Sequence, residues 1–248
     1  MITEERQQKI LAKLKVDGIV KVFDLVAEFN ASESTIRRDL AMLEAQSYLK
    51  RVHGGAVTLQ GKVIEPSYND KITANNNQKE AIAKYAASLI ADGDSIYLDS
   101  GTTVFSMIKY MTQKGILVVT NGVSHVEELI SCEIPFILLG GKVKLGTKAL
   151  IGSEAMKFLS RYRFDKCFMG TNGVHSIHGF TTPDPEEAAL KGLAIQSTKE
   201  AFVLADASKF GEVSFTEFSH LGEACLITNS HDDLSDYQDK TKVLEVKS

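Results

Sequence analysis

Residues 32–56 have the sequence SESTIRRDLAMLEAQSYLKRVHGGA. Within this stretch, Ile36, Leu40 and Leu43 recur at the i, i+4, i+7 spacing of a single buried helical face. Ser32, which comes just before this pattern, is a residue type that favours the N-cap of a helix. The stretch therefore predicts an amphipathic helix that begins next to Ser32.

The side of this helix opposite the apolar face carries two arginines. Arg37 and Arg38 lie there with the small side chains of Ser34 and Ala41, which would let the helix approach another surface closely. The free N–H groups at a helix N-terminus can also bind a phosphate. These features predict a surface that enters a DNA groove.

A basic hairpin follows the helix. The apolar spacing changes to period two at residues 49–52, breaks at Gly54 and Gly55, and resumes at residues 56–59, which is typical of a two-stranded β-wing. Lysine and arginine in such a wing can contact a DNA backbone. The residues predicted to contact DNA lie on the helix or the wing, and they are Ser32, Ser34, Thr35, Arg37, Arg38, Lys50, Arg51 and His53.

The residues before Ser32 complete a winged helix-turn-helix pattern. Apolar residues at helical spacing indicate a first helix from Thr3 to Asp17, followed by a short extended piece at residues 19–22. A second short helix is expected around residues 25–29, with a turn at residues 30–32. We predict a winged domain over residues 1–58.

This N-terminal pattern resembles that of DeoR-type bacterial transcriptional regulators. The shared pattern is S-x-x-T-I-R-R-D-L, followed by L-E and by L-K-R-V-H-G-G-A. The matching positions are Ser32, Thr35, Ile36, Arg37, Arg38, Asp39, Leu40, Leu43, Glu44, His53, Gly54 and Gly55. One departure is Ser47, where the family commonly has glycine, and this changes a helix cap rather than the contact surface. The resemblance implies double-stranded operator DNA as a partner, and a homo-oligomer.

Charge and length indicate two domains with different roles. The chain has 248 residues and a net charge of −4, made up of +1 in residues 1–60 and −5 in the remainder. Residues 59–77 are polar and contain Pro66, so they are interpreted as a linker before a domain at 78–248. Three widely spaced cysteines and no apolar signal segment favour a reducing, cytoplasmic location.

From Gln78 onward, predicted strands and helices alternate. The strands are uninterrupted apolar runs, which favours an α/β domain with a largely parallel sheet. Strands are predicted at 95–98, 116–120, 136–139, 166–169, 201–205 and 224–228. Helices are predicted at 79–90, 102–111, 124–131, 152–160 and 185–199.

Polar turns follow several of these strands, where a parallel sheet binds its ligands. The turn Asp99-Ser100-Gly101-Thr102-Thr103 offers hydroxyls and helix N–H groups to an anion. Neither G-x-G-x-x-G nor G-x-x-x-x-G-K-[ST] is present, so no nucleotide site is expected. His175 and His178 lack further metal ligands at zinc-like spacing, so we predict neither a metal nor a cofactor.

The body of the chain also resembles the effector domain of DeoR-type regulators, which is in turn similar to ribose-5-phosphate isomerase A. This resemblance implies a sugar phosphate as effector, with the phosphate held by residues 100–103. The predicted effector-binding residues lie at strand ends or on flanking helices. They are Lys79, Asp99, Ser100, Gly101, Thr102, Thr103, Thr120, Asn121, Gly170, Thr171, Asn172, Glu187, Lys191, Asp206 and Lys209.

Three functions compete. The isomerase carries an Asp-Gly-Ala-Asp motif where this chain has Gly170-Thr171-Asn172-Gly173, so both acids needed to move protons between carbons are replaced. An architectural DNA binder would not need the polar strand-end turns. A repressor of a sugar-utilisation operon, released from DNA by a sugar phosphate, therefore takes precedence over an isomerase-like enzyme with a DNA-binding domain.

The identity of the effector depends on one segment. Residues 179–187, GFTTPDPEE, look most like those of the fructose-operon repressors in this family, and this resemblance implies fructose 1-phosphate. Two prolines would stiffen this segment over the expected pocket, where it would read the sugar. A lactose-pathway repressor that responds to tagatose 6-phosphate is the nearest alternative.

Overall fold

Two units make up the chain, Met1–Lys62 and Val63–Ser248. The structure, a computed structural model, describes residues 3–17, 19–45, 48–52, 54–58, 68–73, 75–229 and 234–246. Each unit packs around apolar clusters of its own.

The first unit is the predicted winged helix-turn-helix. Its helices are α1 (Thr3–Asp17), α2 (Val22–Phe29) and α3 (Glu33–Ala45), and its strands are β1 (Ile19–Lys21), β2 (Leu49–Val52) and β3 (Gly55–Thr58). The strands form one antiparallel sheet in the order β1-β3-β2. The extended piece between the first two helices thus becomes the third strand of the wing.

Local chemistry explains where α3 and the wing begin and end. The apolar face of α3 is buried as predicted, at Ile36, Leu40 and Leu43. Ser32 caps the helix, because its Oγ accepts a hydrogen bond from the Thr35 N–H at 3.2 Å. In the wing, Gly54 has a φ of +79°, a left-handed conformation that glycine adopts without strain.

A buried ion pair joins α1 to α3. The Nε atom of Arg6 lies 2.5 Å from Oδ2 of Asp39, and a second guanidinium nitrogen lies 3.2 Å from Oδ1. Both residues are buried, and the hydrogen bond to Asp39 raises the pKa of Arg6 above its ordinary value. Asp39 is part of the sequence pattern, but the pattern did not indicate this ion pair. The pair holds α3 in a defined position relative to α1.

We expect Asp39→Ala to lower the free energy of unfolding of the first unit by about 3–5 kcal/mol, because it leaves the guanidinium of Arg6 buried without its counter-ion. Urea denaturation of the full chain, followed by circular dichroism, measures this loss. The matched control is Glu33→Ala, which removes a carboxylate from an exposed pair with Arg37 and should cost about 0.5 kcal/mol. Equal losses in the two variants would contradict the role assigned to Asp39.

The second unit contains twelve strands and seven α-helices among its described residues. The strands are β4 (Ser95–Leu98), β5 (Leu117–Thr120), β6 (Phe136–Leu138), β7 (Lys142–Lys144), β8 (Ala149–Ile151), β9 (Phe164–Gly170), β10 (Gly173–His175), β11 (Gly179–Thr182), β12 (Thr198–Ala205), β13 (Thr216–Ser219), β14 (Cys225–Thr228) and β15 (Val243–Glu245). The helices are α4 (Tyr68–Thr73), α5 (Asn76–Ser88), α6 (Thr102–Phe105), α7 (His125–Ser131), α8 (Ser153–Leu159), α9 (Pro185–Gln196) and α10 (Ser235–Gln238).

Seven of these strands form one parallel sheet in the order β15-β14-β12-β9-β4-β5-β6. Both faces of this sheet are covered. In β4, for example, Ile96 and Leu98 belong to one apolar cluster, and Tyr97, which points to the other face, belongs to a second. The predicted α/β class with a largely parallel sheet is confirmed.

The chain changes direction across the sheet at β4. Strands β5 and β6 follow on one side of β4, and β9 and β12 lie on the other. In open parallel sheets, ligands bind at such a reversal, outside the carboxyl ends of the strands. The topology therefore points to the ends of β4, β9 and β12.

The expected linker over 59–77 is corrected in part by the fold. Residues 59–67 and 74 lie outside the described residues, but α4 and the start of α5 belong to the second unit. Tyr68 is buried, and its N–H donates to the carbonyl of Gly146 at 2.8 Å. The polar composition of this segment concealed one apolar anchor residue that holds a short helix in place.

Candidate functional site

The exposed side of α3 presents the predicted arginines. Arg37 and Arg38 are both exposed, as is Ser34. Arg37 forms an ion pair with Glu33 at 2.7 Å, one turn earlier on the helix. Arg38 makes no hydrogen bond or ion pair with the residues that the structure describes, so its guanidinium is fully available to an anion.

The hydroxyl groups at the start of α3 are linked to one another. Ser32 Oγ lies 2.9 Å from Ser34 Oγ and 2.8 Å from Thr35 Oγ1. This small network sits beside the free N–H groups of the first helical turn. It places three predicted DNA-contacting residues in one polar patch.

The wing is tied to α3 through Glu44. Its carboxylate accepts a hydrogen bond from the Arg51 backbone N–H at 2.8 Å, and from Arg51 Nε at 2.6 Å. Arg51 therefore has a structural partner in addition to its predicted contact with DNA. Lys50 pairs with Val57 in the wing sheet, and His53 lies outside the described residues.

We expect Arg38→Ala to weaken operator binding by at least tenfold while the free energy of unfolding stays unchanged, because this cation is exposed and engaged by no described residue. If Arg38 contacts phosphate, the salt dependence of binding falls by about one unit per protomer. Fluorescence anisotropy at several salt concentrations gives both values. The control is Lys9→Ala, which removes an exposed cation from α1; an equal effect in this variant would contradict the assignment of α3.

A second site is a cleft at the carboxyl ends of β4, β9 and β12. Every predicted effector-binding residue except Thr120 and Asn121 lines it. Those that do are Lys79, Asp99, Ser100, Gly101, Thr102, Thr103, Gly170, Thr171, Asn172, Glu187, Lys191, Asp206 and Lys209. Four further lining residues were not predicted from the sequence: Tyr68, Lys71, Thr147 and Leu204.

The loop after β4 and the first turn of α6 supply polar groups to the cleft. The hydroxyls of Ser100, Thr102 and Thr103 line the cleft and make no hydrogen bond with the described residues. Gly101 packs directly on Gly170, since a Cβ atom at Gly101 would lie 3.3 Å from the Gly170 Cα. The two glycines let the loops after β4 and β9 approach each other.

A buried ion pair crosses the floor of the cleft. Lys191 Nζ lies 2.5 Å from Asp99 Oδ2 and 3.1 Å from the carbonyl of Gly170. The same Oδ2 atom accepts the Gly170 N–H at 3.0 Å. One carboxylate thus joins the ends of β4 and β9 to α9.

Glu187, one turn before Lys191 on α9, lines the cleft and contacts the β7–β8 hairpin. Its Oε1 atom accepts a hydrogen bond from Thr147 Oγ1 at 2.6 Å and lies 3.1 Å from Lys144 Nζ. Asp184 caps α9 by accepting the backbone N–H of Glu187 at 3.2 Å. Glu187 is therefore held in one position and its charge is balanced.

Another part of the cleft lining is rich in lysine. Lys79 is buried, and its pKa is lowered chiefly by that burial; Asp206 opposes the shift, and the ammonium groups of Lys209 and Lys71 add to it. Asp206 itself accepts hydrogen bonds from Ser208 and from the Asn75 side chain, at 2.9 and 3.2 Å respectively. Positive charge is therefore concentrated at this side.

Comparison with known proteins identifies both units. Residues 6–62 match the DeoR-like helix-turn-helix domain, and residues 74–230 match the DeoR C terminal sensor domain. The chain belongs to the DeoR family. It is a DNA-binding transcriptional regulator with a ligand-sensing domain.

Full-length relatives support this assignment. The chain is 52% identical to the uncharacterized HTH-type transcriptional regulator FruR of Bacillus subtilis, over 100% of both chains. It is 37% identical to the lactose phosphotransferase system repressor of Lactococcus lactis, over 85% of this chain and 84% of that protein. Ribose 5-phosphate isomerase A of Methanocaldococcus jannaschii overlaps 56% of each chain at 19% identity and a TM-score of 0.42.

Two residues predicted to bind the effector of this DeoR-family protein are instead used inside the fold. Thr120 Oγ1 donates to the carbonyl of Leu98 at 2.7 Å and contacts His125 Nδ1 at 2.9 Å. Asn121 Oδ1 accepts the Ser100 N–H at 3.0 Å. Both side chains are buried and neither lines the cleft, because a strand-end position does not determine which way a side chain points.

The segment 179–187 also differs from the expectation that it covers the pocket. Residues 179–182 form β11, the middle strand of the small antiparallel sheet β10-β11-β13. Phe180 points into the apolar core, and Thr181 Oγ1 accepts the Ser214 N–H at 2.9 Å. Of this segment, Glu187 alone lines the cleft.

Among the described residues of both units, no helix is long and apolar enough to cross a membrane.

The stability of the protein should depend on pH through His125, whose pKa burial lowers from its ordinary 6.5 to about 4. The unfolded chain binds a proton as the pH falls through about 6.5, whereas the folded chain resists it until about pH 4. About 3 kcal/mol of stability is therefore fully present at pH 7 and is lost between pH 6.5 and 4.

Urea denaturation of the wild type and of His125→Gln at pH 7 and pH 5 measures this contribution. The difference between the two pH values should shrink in His125→Gln and stay unchanged in the control His178→Gln, which alters an exposed histidine. An unaltered pH dependence in His125→Gln would show that the native protein admits the proton.

Proposed function

We propose that this DeoR-family regulator represses a sugar-utilisation operon, one for fructose, and leaves its operator when a sugar phosphate binds the cleft. The observation that carries the proposal is that the hydroxyls of Ser100, Thr102 and Thr103, which bond to no described residue, line the same cleft as the buried lysines. Two further observations support the proposal. The first unit is a DNA-binding unit with an exposed arginine, and relatives of the chain are named as transcriptional regulators. The protein acts on double-stranded DNA in the cytoplasm.

The charge of the cleft favours a phosphorylated ligand. Four lysines and three carboxylates line it, so positive charge is in excess. Lys191 is matched by Asp99, and Glu187 is matched by Lys144, which leaves the excess at the side of Lys79 and Lys209. A phosphate dianion placed there would accept hydrogen bonds from both ammonium groups and from the loop at residues 100–103.

The other end of the cleft suits a sugar. Glu187 can accept hydrogen bonds from sugar hydroxyls, and the side chain of Asn172 and the backbone around Thr171 add polar groups nearby. Glu187 is held by Thr147, whose hydroxyl donates to it, and Asn172 is held by Thr182, whose hydroxyl donates to the Asn172 side-chain oxygen at 3.1 Å. A rigid polar wall of this kind selects for hydroxyl positions.

We further propose that the ligand is bound and not turned over. An aldose–ketose isomerase needs an unengaged carboxylate to carry a proton between neighbouring carbons. Asp99 is held by Lys191, Glu187 by Lys144, and Asp206 by neighbouring donors. No acid occupies residues 170–173, where the isomerase has two.

For the effector, we propose fructose 1-phosphate. The support is the resemblance of residues 179–187 to fructose-operon repressors, together with the full-length similarity to FruR. Tagatose 6-phosphate remains the alternative because of the similarity to a lactose phosphotransferase system repressor. We also propose a homo-oligomer, because a single winged domain has too small a footprint to give operator specificity.

Thermal denaturation with a panel of sugar phosphates tests the proposal. A ligand at about 100 times its dissociation constant stabilises the folded protein by about 2.7 kcal/mol. We expect fructose 1-phosphate to stabilise more than tagatose 6-phosphate, ribose 5-phosphate or fructose. If none of these compounds stabilises the wild type, the sensor function is wrong.

We expect Thr102→Val to weaken binding of the stabilising sugar phosphate by about 1–3 kcal/mol, because it removes one hydroxyl donor to a charged ligand. Isothermal titration calorimetry measures this change. Thr112→Val is the matched control, since it removes an exposed hydroxyl outside the cleft and should leave affinity unchanged. Conversion of the sugar phosphate, seen by NMR and abolished in Glu187→Gln, would replace the sensor function with an enzymatic one.

A further inference from the structure

The short helix α4 forms part of the cleft wall. Tyr68 and Lys71, one turn apart on α4, both line the cleft. The ring of Tyr68 packs edge-on against Phe105 with centroids 6.5 Å apart, and Lys148 Nζ lies 4.7 Å from its centroid on the other side. A segment that reads as a linker in the sequence thus contributes a cation and an aromatic ring to the candidate effector site.

A hydrogen bond connects α4 to Lys79, the buried lysine of α5. The ammonium group of Lys79 donates to the backbone carbonyl of Lys71. An ammonium group has three N–H donors, and among the described residues Lys79 uses one of them, in its hydrogen bond to the Lys71 carbonyl. Two donors of Lys79 therefore remain for a ligand while α4 stays attached.

Three cations meet at this side of the cleft. Lys71, Lys79 and Lys209 line it together with a single carboxylate that is not in an ion pair already described, Asp206. The ammonium groups of Lys71 and Lys209 both lower the pKa of Lys79, so each lies within electrostatic reach of Lys79. Like charges held together in a partly buried site repel, and an anion between them removes that repulsion.

We propose that Lys71 is an effector-binding residue, and that a phosphate group bound between Lys71, Lys79 and Lys209 holds α4 against the rest of the second unit. This inference rests on the proposed function, because the ligand it requires is a phosphorylated one. The ligand keeps the Lys79 bond to the Lys71 carbonyl and adds a charge-assisted contact to the Lys71 side chain.

The position of α4 in the chain gives this contact a regulatory consequence. Residues 59–67 connect the end of the wing strand β3 to Tyr68. A ligand that changes how firmly α4 is held therefore changes the anchor point of the segment that leads to the DNA-binding unit. Effector occupancy reaches operator binding through this anchor.

The first test compares Lys71→Met with Lys84→Met in the full chain. Both variants lose one lysine charge, but Lys84 is exposed on α5 and lies outside the cleft. Calorimetric titration with fructose 1-phosphate, tagatose 6-phosphate and inorganic phosphate should show at least tenfold weaker binding to Lys71→Met and wild-type binding to Lys84→Met. Lys71→Arg, which keeps the charge, should retain affinity within about threefold, since arginine also pairs with phosphate.

The second test is hydrogen–deuterium exchange of the wild type with and without the probe that binds. We expect slower exchange at residues 68–73 when the ligand is present, loss of this protection in Lys71→Met, and no change at residues 125–131 of α7. Operator affinity without ligand should be equal in the wild type and in Lys84→Met, which shows that loss of a lysine charge outside the cleft leaves the DNA-binding unit intact.

The outcomes separate this inference from the proposed function. If the wild type binds a sugar phosphate and Lys71→Met binds it equally well, Lys71 is not a ligand contact and the inference is wrong while the sensor function stands. Unchanged exchange at residues 68–73 on binding would likewise overturn the role of α4. If the wild type binds none of the probes, both proposals are wrong.

Discussion

The hydrogen-bonded ion pair between Asp99 and Lys191 determines the shape of the sensing cleft. One carboxylate oxygen of Asp99 receives the ammonium group of Lys191 and the backbone N–H of Gly170, so the ends of β4 and β9 and the middle of α9 are fixed at one point. Removing either charge would leave the other buried without a partner, which costs several kcal/mol. This pair also neutralises the lysine at the centre of the cleft, so the excess positive charge lies to one side.

A buried ion pair has a comparable role in the DNA-binding unit. Arg6 and Asp39 join α1 to α3 through two hydrogen bonds, and Arg37 and Arg38, which we predict to contact DNA, are exposed on α3. Each unit thus combines an apolar core with one directional polar contact that positions its functional surface.

The amino-acid sequence predicts the parts of this protein whose pattern is local. The face of α3 follows from the spacing of Ile36, Leu40 and Leu43, and the cleft residues follow from polar turns after apolar strands. Where the structure departs from the expected lining of the cleft, the reason is physical. Thr120 and Asn121 occupy strand-end positions, but their side chains are used in hydrogen bonds to Leu98 and Ser100, and the sequence does not show such distant partners.

Short elements held by tertiary contacts were also missed. The helix α4 has six residues, and it is fixed by the burial of Tyr68 rather than by an apolar repeat. The strand β11 holds residues 179–182 in a small sheet, because its partners β10 and β13 come from both sides of it in the chain. The sequence analysis treated this segment as a loop over the pocket. Pairing with β10 and β13 makes residues 179–182 a strand instead.

The central claim is that ligand occupancy of the cleft controls binding to DNA. Fluorescence anisotropy of a labelled operator duplex, obtained by selection from random sequences and bound to the full chain, measures this coupling when fructose 1-phosphate is added. We predict that saturating fructose 1-phosphate raises the operator dissociation constant at least tenfold, while fructose has no effect. Operator affinity that stays unchanged at concentrations of sugar phosphate that saturate the cleft by calorimetry would contradict the account.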